Sequence, residues 1–251
     1  MKVSVIIPAA GLGTRMGRPG SAADKAAAAP GRKQFLMLDG ESILAHTVRK
    51  FMDAPSVSEV VIAVRPEDRE WARDLLARVE KVKPVRFADG GDSRQQSVEN
   101  ALAILDHDTD LVAVHDAVRP FVSIDAIERV IAEAAAKGAA ILGVVPVDTV
   151  KQIHLNHIRT TLPRERLIMA QTPQVFRFDL LRQAFDHART DQFVGTDESS
   201  LVERLEQVEV SVVPGSDRNI KITKPADLEL ARLYLAQEKA DGAGGGRPDE
   251  P

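Results

Sequence analysis

The residues with the clearest chemical potential stand in a glycine-rich turn near the start of the chain, where Gly11, Gly13 and Arg15 follow an apolar run. The run, 3–7, has four apolar residues in five positions, which predicts a strand buried on both faces. Small residues after a strand let a ligand approach the backbone closely. Nucleotides bind at such turns in open α/β sheets, and the arginine adds a permanent cation for phosphates. The turn therefore predicts the nucleotide end of a binding site.

Two common glycine motifs differ from this turn. The dinucleotide fingerprint G-x-G-x-x-G requires a third glycine where this chain has Met16. The phosphate loop G-x-x-x-x-G-K-[ST] requires a lysine directly after its last glycine, and none follows Gly13 or Gly17. Because short glycine patterns are weak evidence, an ordinary strand-to-helix turn stays open as an alternative at this point.

Two further polar loops follow apolar runs. Segment 89–98 contains adjacent glycines before Asp92, and Ser97 supplies a hydroxyl, so this loop can read the edge of a base. Asp92 can equally be only a helix cap. Asp116 follows the run 111–114 and suits a hard cation such as Mg²⁺ or a ligand hydroxyl, with a salt bridge to Arg119 as the alternative. We interpret His115 as structural support for its neighbour.

Several cations lie near predicted strand ends, although the formal net charge of the chain is −4. They are Arg15, Lys33, Arg119, Arg164 and Lys221. Such a set is expected where two phosphorylated substrates must be brought together. Hydroxyl groups accompany them at Thr149, Thr172 and Thr196, each of which could alternatively be part of a cap, a turn or a solvated face.

Short apolar runs alternate with helical patterns along the chain. Runs at 60–64, 111–114 and 140–145 predict further buried strands, and apolar spacing predicts helices over 43–51, 71–79 and 127–134. Strands that alternate with helices imply crossover connections and a mainly parallel sheet covered on both faces. The sequence therefore predicts a doubly wound α/β fold.

Two segments depart from that pattern. Residues 146–172 hold scattered polar and basic residues without a helical stripe, which predicts an extended arm that leaves the sheet and returns. Arms of this sort often serve dimer contacts. Composition predicts a disordered tail over 239–251, which leaves 1–238 as one domain.

Composition also excludes several classes of function. The 251 residues include no cysteine, which excludes disulfides, thiolate metal sites and cysteine nucleophiles. We find no bilayer-spanning run and no signal peptide, so we expect a cytoplasmic protein without a membrane partner. The negative net charge, with one tryptophan and one tyrosine, argues against a nucleic-acid partner.

Seven motifs in order, from about residue 1 to about residue 235, resemble the 2-C-methyl-D-erythritol 4-phosphate cytidylyltransferase family. They are Pro8-Ala9-Ala10-Gly11-x-Gly13-x-Arg15-Met16, Lys33-Gln34, Gly90-Gly91-Asp92-x-Arg94-x-x-Ser97-Val98, His115-Asp116-Ala117-x-Arg119-Pro120, Asp148-Thr149-x-Lys151, Gln171-Thr172-Pro173-Gln174 and Asn219-x-Lys221-Ile222-Thr223. The resemblance implies a nucleotidyltransferase fold of the Rossmann-like type in a cytoplasmic homodimer. It also implies Mg²⁺-dependent synthesis of 4-diphosphocytidyl-2-C-methyl-D-erythritol and pyrophosphate from CTP and the polyol phosphate, a step of the non-mevalonate isoprenoid pathway.

The resemblance implies roles for individual residues. The catalytic positions would be Arg15 and Lys33, which stabilise charge on the α-phosphate, and Arg164 and Lys221, which position the attacking phosphate. The substrate-binding positions would be Ala9, Ala10, Gly11, Gly13, Gly91, Asp92, Ser97, Asp116, Arg119, Thr149, Thr172 and Thr196. Asp116 would also help to organise Mg²⁺, which the CTP phosphates mainly hold. The arm would cross to the partner subunit, so that Arg164 would serve the neighbouring site.

One segment departs from the family pattern. The family usually places its Pro-Lys-Gln soon after the arginine, whereas here Lys33 is separated from Arg15 by an alanine-, glycine- and proline-rich insertion, 17–31, that contains Lys25. The insertion could close over CTP as a lid. It leaves open which lysine is catalytic, and Gln34-Phe35-Leu36, which follows as in the family, favours Lys33.

Two other functions fit part of the pattern. A ribitol 5-phosphate cytidylyltransferase would share the fold, and Val118 and Phe121 suit it, whereas Ala9–Ala10 and the segment 145–149 favour the methylerythritol enzyme. A non-catalytic CTP-binding module would need the fold and the base-reading loop. Such a module would not require the four cations Arg15, Lys33, Arg164 and Lys221 together.

Overall fold

The computed structural model describes residues 1–11, 32–80 and 82–243. The strands in these ranges are β1 (Val3–Pro8), β2 (Met37–Leu38), β3 (Glu41–Ser42), β4 (Glu59–Val64), β5 (Val85–Asp89), β6 (Leu111–Val114), β7 (Ala139–Val144), β8 (Lys151–His154), β9 (His157–Thr161), β10 (Met169–Arg177) and β11 (Ser211–Pro214). The α-helices are α1 (Ile43–Asp53), α2 (Arg69–Leu75), α3 (Arg94–Ala103), α4 (Ile124–Lys137), α5 (Phe178–Thr190), α6 (Glu198–Glu203) and α7 (Pro225–Ala243). Short 3-10 helices span Lys33–Phe35, Pro66–Asp68 and Arg164–Arg166.

A seven-stranded sheet forms the centre of the molecule, in the order β11-β7-β10-β6-β1-β4-β5. Strand β10 is antiparallel to both of its neighbours, and the other pairs in the sheet are parallel. Parallel neighbours require crossover connections, which the intervening helices supply. The predicted α/β fold with a mainly parallel sheet is therefore confirmed.

Helices cover both faces of this sheet. On one face, Val48 and Phe51 of α1 and Ile127 of α4 pack in a core with Val5 of β1. On the other face, α3, α5 and α6 pack against strand residues such as Ile6. Successive strand residues point to opposite faces, so a strand covered twice must be apolar at consecutive positions. This is why the predicted strands are continuous apolar runs.

Short polar residues fix where several helices begin. The side chains of Ser42, Ser93 and Ser123 accept hydrogen bonds from the backbone of the first turn of α1, α3 and α4. Asp197 forms a capping box with Ser200 at the start of α6. Such caps satisfy backbone N–H groups that have no partner within the helix.

The helix predicted over 71–79 is shorter than the apolar pattern. A 3-10 turn at Pro66–Asp68 precedes α2, which ends at Leu75, although Val79 beyond it remains buried. Strand β10 was not predicted, because Gln171, Thr172 and Gln174 interrupt its apolar pattern. These polar side chains are buried and hydrogen-bonded to neighbouring loops, so they do not mark a surface loop.

The predicted arm contains a separate two-stranded hairpin, β8–β9, whose residues are all exposed. Leu155 and Asn156 form its turn with φ angles of 47° and 62°. The predicted end of the arm at residue 172 is wrong, because 169–172 already belong to β10: Met169 pairs with Val144 of β7. The excursion therefore returns to the sheet at Met169.

The C-terminal helix continues past the predicted domain boundary at residue 238. Helix α7 ends at Ala243, so the predicted tail over 239–251 begins too early. Residues 244–251 lie outside the described residues, as does the insertion 17–31 with Lys25. In the described part of the chain, we find no helix that is both long and apolar enough to cross a membrane.

Candidate active site

A cavity of about 410 Å³ opens at the carboxyl ends of β1, β4, β5 and β6. Nine of the residues predicted to contact substrates line it: Ala9, Ala10, Gly11, Lys33, Gly91, Asp92, Ser97, Asp116 and Lys221. The strand order places β1 between β4 and β6, which brings loops that are distant in sequence to one edge. Ligands bind at this edge of open α/β sheets.

One side of the cavity is a small-residue wall, in which Ala9, Ala10, Gly11 and Gly91 line the cavity and Gly90 packs against Ala10. Ala9 donates a backbone hydrogen bond of 2.8 Å to the carbonyl of residue 63, and Gly90 donates one of 2.7 Å to that of residue 64. A Cβ added at Gly90 would lie only 2.2 Å from the Cβ of Ala10. Glycine is therefore required at position 90, because the two loops touch there.

Lys33 lies at the cavity between two anchored neighbours. The Gln34 amide donates to the carbonyl of Ala9 at 2.6 Å and to that of Gly11 at 3.1 Å. On its other side, Arg32 forms ion pairs with carboxylates of the Pro66–Asp68 turn. The side chain of Gln34 thus connects the lysine segment to the small-residue wall.

The loop before α3 is held by hydroxyl groups. Ser97 Oγ donates to the carbonyl of Ser93 at 2.8 Å and accepts from the Gly91 amide at 3.0 Å. Ser93, and not Asp92, is the cap of α3. Asp92 is exposed, and its backbone amide donates to Gln96 Oε1 at 2.9 Å. Its carboxylate is therefore not committed to the alternative role of capping this helix.

A charged cluster of Arg94, Asp116, Arg119, Glu198 and Lys221 forms the other side of the cavity. Asp116 Oδ2 lies 3.0 Å from Lys221 Nζ and 3.1 Å from Arg119 Nε, and Oδ1 lies 3.3 Å from Arg94 Nε. Arg94 Nη1 donates to Glu198 Oε1 at 2.6 Å. The salt bridge between Asp116 and Arg119 that the sequence left open is therefore present. Counted formally, three cations and two carboxylates give the cluster one positive charge in excess.

Burial and ion pairing act against each other in this cluster. Burial disfavours the charged form of Asp116, but Arg94, Lys221 and Arg119 hold its pKa well below the usual range. Burial also opposes the charge of Arg94, yet Glu198 and Asp116 raise its pKa above the ordinary value. Burial raises the pKa of the Glu198 carboxyl, which Arg94 partly counteracts. Asp116 and Arg94 are therefore charged near neutral pH.

His115 is buried beside the charged cluster and supports it through hydrogen bonds to Arg119 and Thr172. Its Nε2 donates to the Arg119 carbonyl at 3.0 Å, since a carbonyl can only accept, and its Nδ1 then accepts from the Thr172 hydroxyl at 3.1 Å. Thr172 Oγ1 accepts in turn from the Asp116 amide at 3.1 Å. Complete burial lowers the pKa of His115 to about 4, so the imidazole is neutral near neutral pH. This is the structural role that the sequence suggested for it.

Not every predicted site residue lines the cavity. Arg119 donates to the Asn219 carbonyl at 2.6 Å and so holds the loop before Lys221. Thr172 is buried under Asp116. The residues placed on the surface away from the cavity lining are Thr149, Arg164 and Thr196. The predicted site residues Gly13 and Arg15 lie outside the described residues.

Three charged residues of the site, Arg65, Arg94 and Glu198, received no role of their own from the sequence. Arg65 lines the cavity directly after β4 and donates to the carbonyl of Ala10 at 3.1 Å. Glu198 lies behind Arg94. The position of Arg65 at a strand end was a usable signal, because the other site residues follow strands in the same way. Glu198 offered none, since a carboxylate at a helix start usually interacts only with the helix dipole.

The donor set does not fit a metal ion bound by protein carboxylates alone. Both oxygens of Asp116 already face cations. Within residues 1–11, 32–80 and 82–243 there is no group of three or more histidine, aspartate or glutamate side chains placed to hold a metal. A magnesium ion in this cavity would therefore need most of its ligands from a bound substrate.

The family comparison agrees with the order of the motifs. The family model for 2-C-methyl-D-erythritol 4-phosphate cytidylyltransferase (IspD) matches residues 3–237. The chain belongs to this family. The cavity therefore lies in a cytidylyltransferase, a type of nucleotidyltransferase.

Individual relatives match this cytidylyltransferase over nearly their whole length. The 2-C-methyl-D-erythritol 4-phosphate cytidylyltransferase of Solibacter usitatus is 61% identical over 245 residues, which cover 96% of this chain and 98% of the relative. That of Acidobacterium capsulatum is 49% identical and is covered completely, again with 96% of this chain. Both relatives therefore share nearly the whole sequence with this chain, and not only isolated motifs.

Solved structures of the same family share the fold. The 2-C-methyl-D-erythritol 4-phosphate cytidylyltransferase of Francisella tularensis has a TM-score of 0.75 at 36% identity, covering 94% of this chain and 100% of that structure. The 4-diphosphocytidyl-2C-methyl-D-erythritol synthase of Anaerococcus prevotii has a TM-score of 0.80 at 28% identity, covering 93% and 96%.

Proposed function

We propose that this chain transfers the cytidylyl group of CTP to 2-C-methyl-D-erythritol 4-phosphate, forming 4-diphosphocytidyl-2-C-methyl-D-erythritol and pyrophosphate for the non-mevalonate isoprenoid pathway. The observation that carries the proposal is the family match over 3–237. The cavity supports it, because a small-residue wall and a cationic cluster border the same space. The ribitol 5-phosphate alternative is not favoured by any of the named relatives.

The reaction proposed is an in-line displacement. An oxygen of the polyol phosphate forms a bond to the α-phosphorus of CTP, and the bond from that phosphorus to the bridging oxygen breaks as pyrophosphate leaves with the electron pair. The attacking phosphate monoester is already largely anionic near neutral pH, so no strong general base is required. Catalysis is then mainly positioning and charge neutralisation.

The two sides of the cavity take different substrates in this proposal. The small-residue wall accommodates the nucleotide, and Gly91, Asp92 and Ser97 read cytosine. Lys33, with Arg15, stabilises charge that develops on the α-phosphate; one well-placed donor of this kind contributes about 3 kcal/mol. A magnesium ion held mainly by the CTP triphosphate, with Asp116 as the nearby protein carboxylate, would supply further neutralisation of charge.

The charged cluster faces the acceptor phosphate in this proposal. Lys221 is half-exposed at the cavity, and Asp116 holds its ammonium at 3.0 Å, which limits the positions that the side chain can occupy. Arg119 is restrained by both Asp116 and the loop at Asn219. Restrained cations lose little freedom when the phosphate binds.

We further propose a homodimer in which the arm, now bounded as residues 146–168, lies on a partner subunit. Large apolar side chains of this arm are exposed, among them Val147 at 74% and Leu155 at 79%. Exposed apolar groups in one segment are typical of a protein–protein contact. Arg164 of the arm is 52% exposed and does not line the cavity of its own chain. A cytoplasmic location is proposed on the family resemblance alone.

The first experiment measures pyrophosphate release from CTP and Mg²⁺ with 2-C-methyl-D-erythritol 4-phosphate or ribitol 5-phosphate as acceptor. We expect release with the first acceptor alone. Release with ribitol 5-phosphate alone would keep the mechanism but change the substrate. No release with either would leave a nucleotide-binding protein and overturn the proposal.

A second experiment tests the arm by co-expressing an Arg164→Ala chain with a Lys33→Ala chain. If the arm serves the partner's site, half of randomly formed dimers are mixed, and one of the two sites in each is intact. Activity should then return to about a quarter of the wild-type value, although each variant alone is nearly inactive. A monomer in solution, or no recovery in demonstrably mixed dimers, contradicts this arrangement.

A further inference from the structure

Glu198 is a buried carboxylate behind the cavity that the mechanism above does not use. It is the first residue of α6, and its side chain is 2% exposed. Its Oε2 atom accepts no hydrogen bond from the part of the chain that the structure describes. A buried carboxylate with one unsatisfied oxygen is unfavourable, and a buried ion pair is weak evidence of a stabilising role.

The satisfied oxygen of Glu198 leads directly to the acceptor side of the cavity. Oε1 lies 2.6 Å from Arg94 Nη1, and Arg94 Nε lies 3.3 Å from Asp116 Oδ1. The opposite oxygen of Asp116 lies 3.0 Å from Lys221 Nζ. A chain of groups of alternating formal charge therefore connects the buried Glu198, through Arg94 and Asp116, with the half-exposed Lys221.

The shape of the arginine makes this connection directional. A guanidinium is planar and presents its N–H groups in a rigid fork. With Nη1 held by Glu198, Nε can meet Asp116 in one orientation. Without that anchor, Arg94 could rotate and withdraw from Asp116, which would then be positioned by Arg119 and Lys221 alone.

We propose that Glu198 is a positioning residue, which holds Arg94 so that Asp116 keeps Lys221 in place for the acceptor phosphate. The part about the acceptor rests on the proposed function, whereas the contacts themselves do not. Glu198 does not line the cavity itself. Its substitution should therefore affect the acceptor more than CTP.

The test compares Glu198→Gln with Glu59→Gln as a matched control. Glu59 is also a buried carboxylate paired with an arginine, Arg86 at 3.3 Å, but it begins β4 at the opposite end of the sheet from the cavity. Both variants remove one buried charge of the same kind. Thermal unfolding is recorded for both, together with kcat and the KM for each substrate.

We expect Glu198→Gln to raise the KM for 2-C-methyl-D-erythritol 4-phosphate about tenfold and to lower kcat about tenfold, with the KM for CTP changed less than about twofold, as for other residues that orient a ligand-binding group. Glu59→Gln should lose stability without these kinetic changes. Equal effects on both substrates, or kinetic changes that match those of Glu59→Gln, would overturn the proposal. If Glu198→Gln does not fold, Glu198→Asp, which keeps the charge but shortens the side chain, takes its place.

A double-mutant cycle tests whether Glu198 acts through Arg94. Arg94→Lys removes the rigid fork, so adding Glu198→Gln to it should change kcat/KM little further, whereas additive losses would contradict the connection. A crystal structure of Glu198→Gln gives a readout independent of activity. The Lys221–Asp116 contact should lengthen or disorder, and an unchanged contact would count against the proposal. A wild-type enzyme inactive with the acceptor would instead refute the proposed function.

Discussion

The small-residue wall and the charged cluster border one cavity but are built in opposite ways. The wall depends on backbone hydrogen bonds and on the absence of side chains at Gly90 and Gly91. The cluster depends on long charged side chains that restrain one another around Asp116. The first should therefore respond to changes in size and the second to changes in charge.

The largest effect is expected from removing the charge beside the wall. Lys33→Ala should lower kcat by about 10²–10³-fold, because a cation next to the developing negative charge is lost, while CTP still binds. Steady-state kinetics and CTP titration measure the two quantities. Lys25→Ala is the matched control and should retain turnover. Near-normal turnover in Lys33→Ala would assign the catalytic role to Lys25.

The next largest effect is expected in the pH dependence of stability, through His115, which supports the charged cluster. The folded pKa of His115, about 4, is below the ordinary histidine value of 6.5, so the unfolded chain binds more protons between these values. The free energy of unfolding should therefore fall as pH decreases from about 6.5 to about 4. The loss from this group should approach about 3 kcal/mol at the lower end, because each pKa unit corresponds to about 1.4 kcal/mol.

Urea unfolding across this pH range, with His115→Gln beside the wild type, measures that contribution. In His115→Gln, the free energy of unfolding should fall less steeply between about pH 6.5 and about pH 4. The pKa of Asp116 is also depressed, so its stabilising contribution is likewise lost with acid, but only as pH falls through its own low value. An identical slope in both proteins from about pH 6.5 to about pH 4 would show that His115 is protonated without penalty.

A change in size should damage the wall without any change in charge. Gly90→Ala places a methyl group 2.2 Å from the Cβ of Ala10, and the overlap should weaken CTP binding by about 1–3 kcal/mol. The double variant with Ala10→Gly should recover part of the affinity. Recovery stays partial, since backbone atoms of Val64 lie 3.2–3.3 Å from the same position. Undiminished CTP affinity in Gly90→Ala would contradict a tightly fitted wall.

The smallest effect is expected at the hydroxyl that holds the wall. Ser97→Ala removes one acceptor for the Gly91 amide and should raise the KM for CTP about fivefold, which corresponds to roughly 1 kcal/mol. Ser4→Ala is the matched control, because Ser4 is also buried and donates to Glu59 at 2.7 Å, far from the cavity. A similar rise in KM in both variants would indicate a general loss of stability.

The sequence predicted the wall better than the cluster. Strands buried on both faces leave continuous apolar runs, and the glycines at their ends are visible in one dimension, so Ala9, Gly11 and Gly91 could be placed from local pattern alone. The contacts of Asp116 come from residues 94, 119 and 221, which only the strand order brings together. The sequence left open whether Asp116 binds a metal or forms a salt bridge to Arg119, and only those distances show that the salt bridge is present.

The strand and the site residue that were missed have partners that are distant in the chain. Strand β10 contains buried glutamines and a threonine whose partners lie on distant loops, so its polarity resembles that of a loop when read locally. Helix α2 was predicted, but it ends at Leu75, before its apolar pattern does, and Val79 beyond it is buried outside the helix. Glu198 was missed because its partner, Arg94, lies a hundred residues earlier in the chain.

The late position of Lys221 has a consequence for biosynthesis. A ribosome completes the strands of the wall in the first part of the chain, whereas Lys221 follows β11, the strand at the opposite edge of the sheet. Asp116 consequently gains its lysine only after nearly the whole chain has emerged. A nascent chain stopped before residue 221 would contain the residues of the wall but would lack the lysine that contacts Asp116.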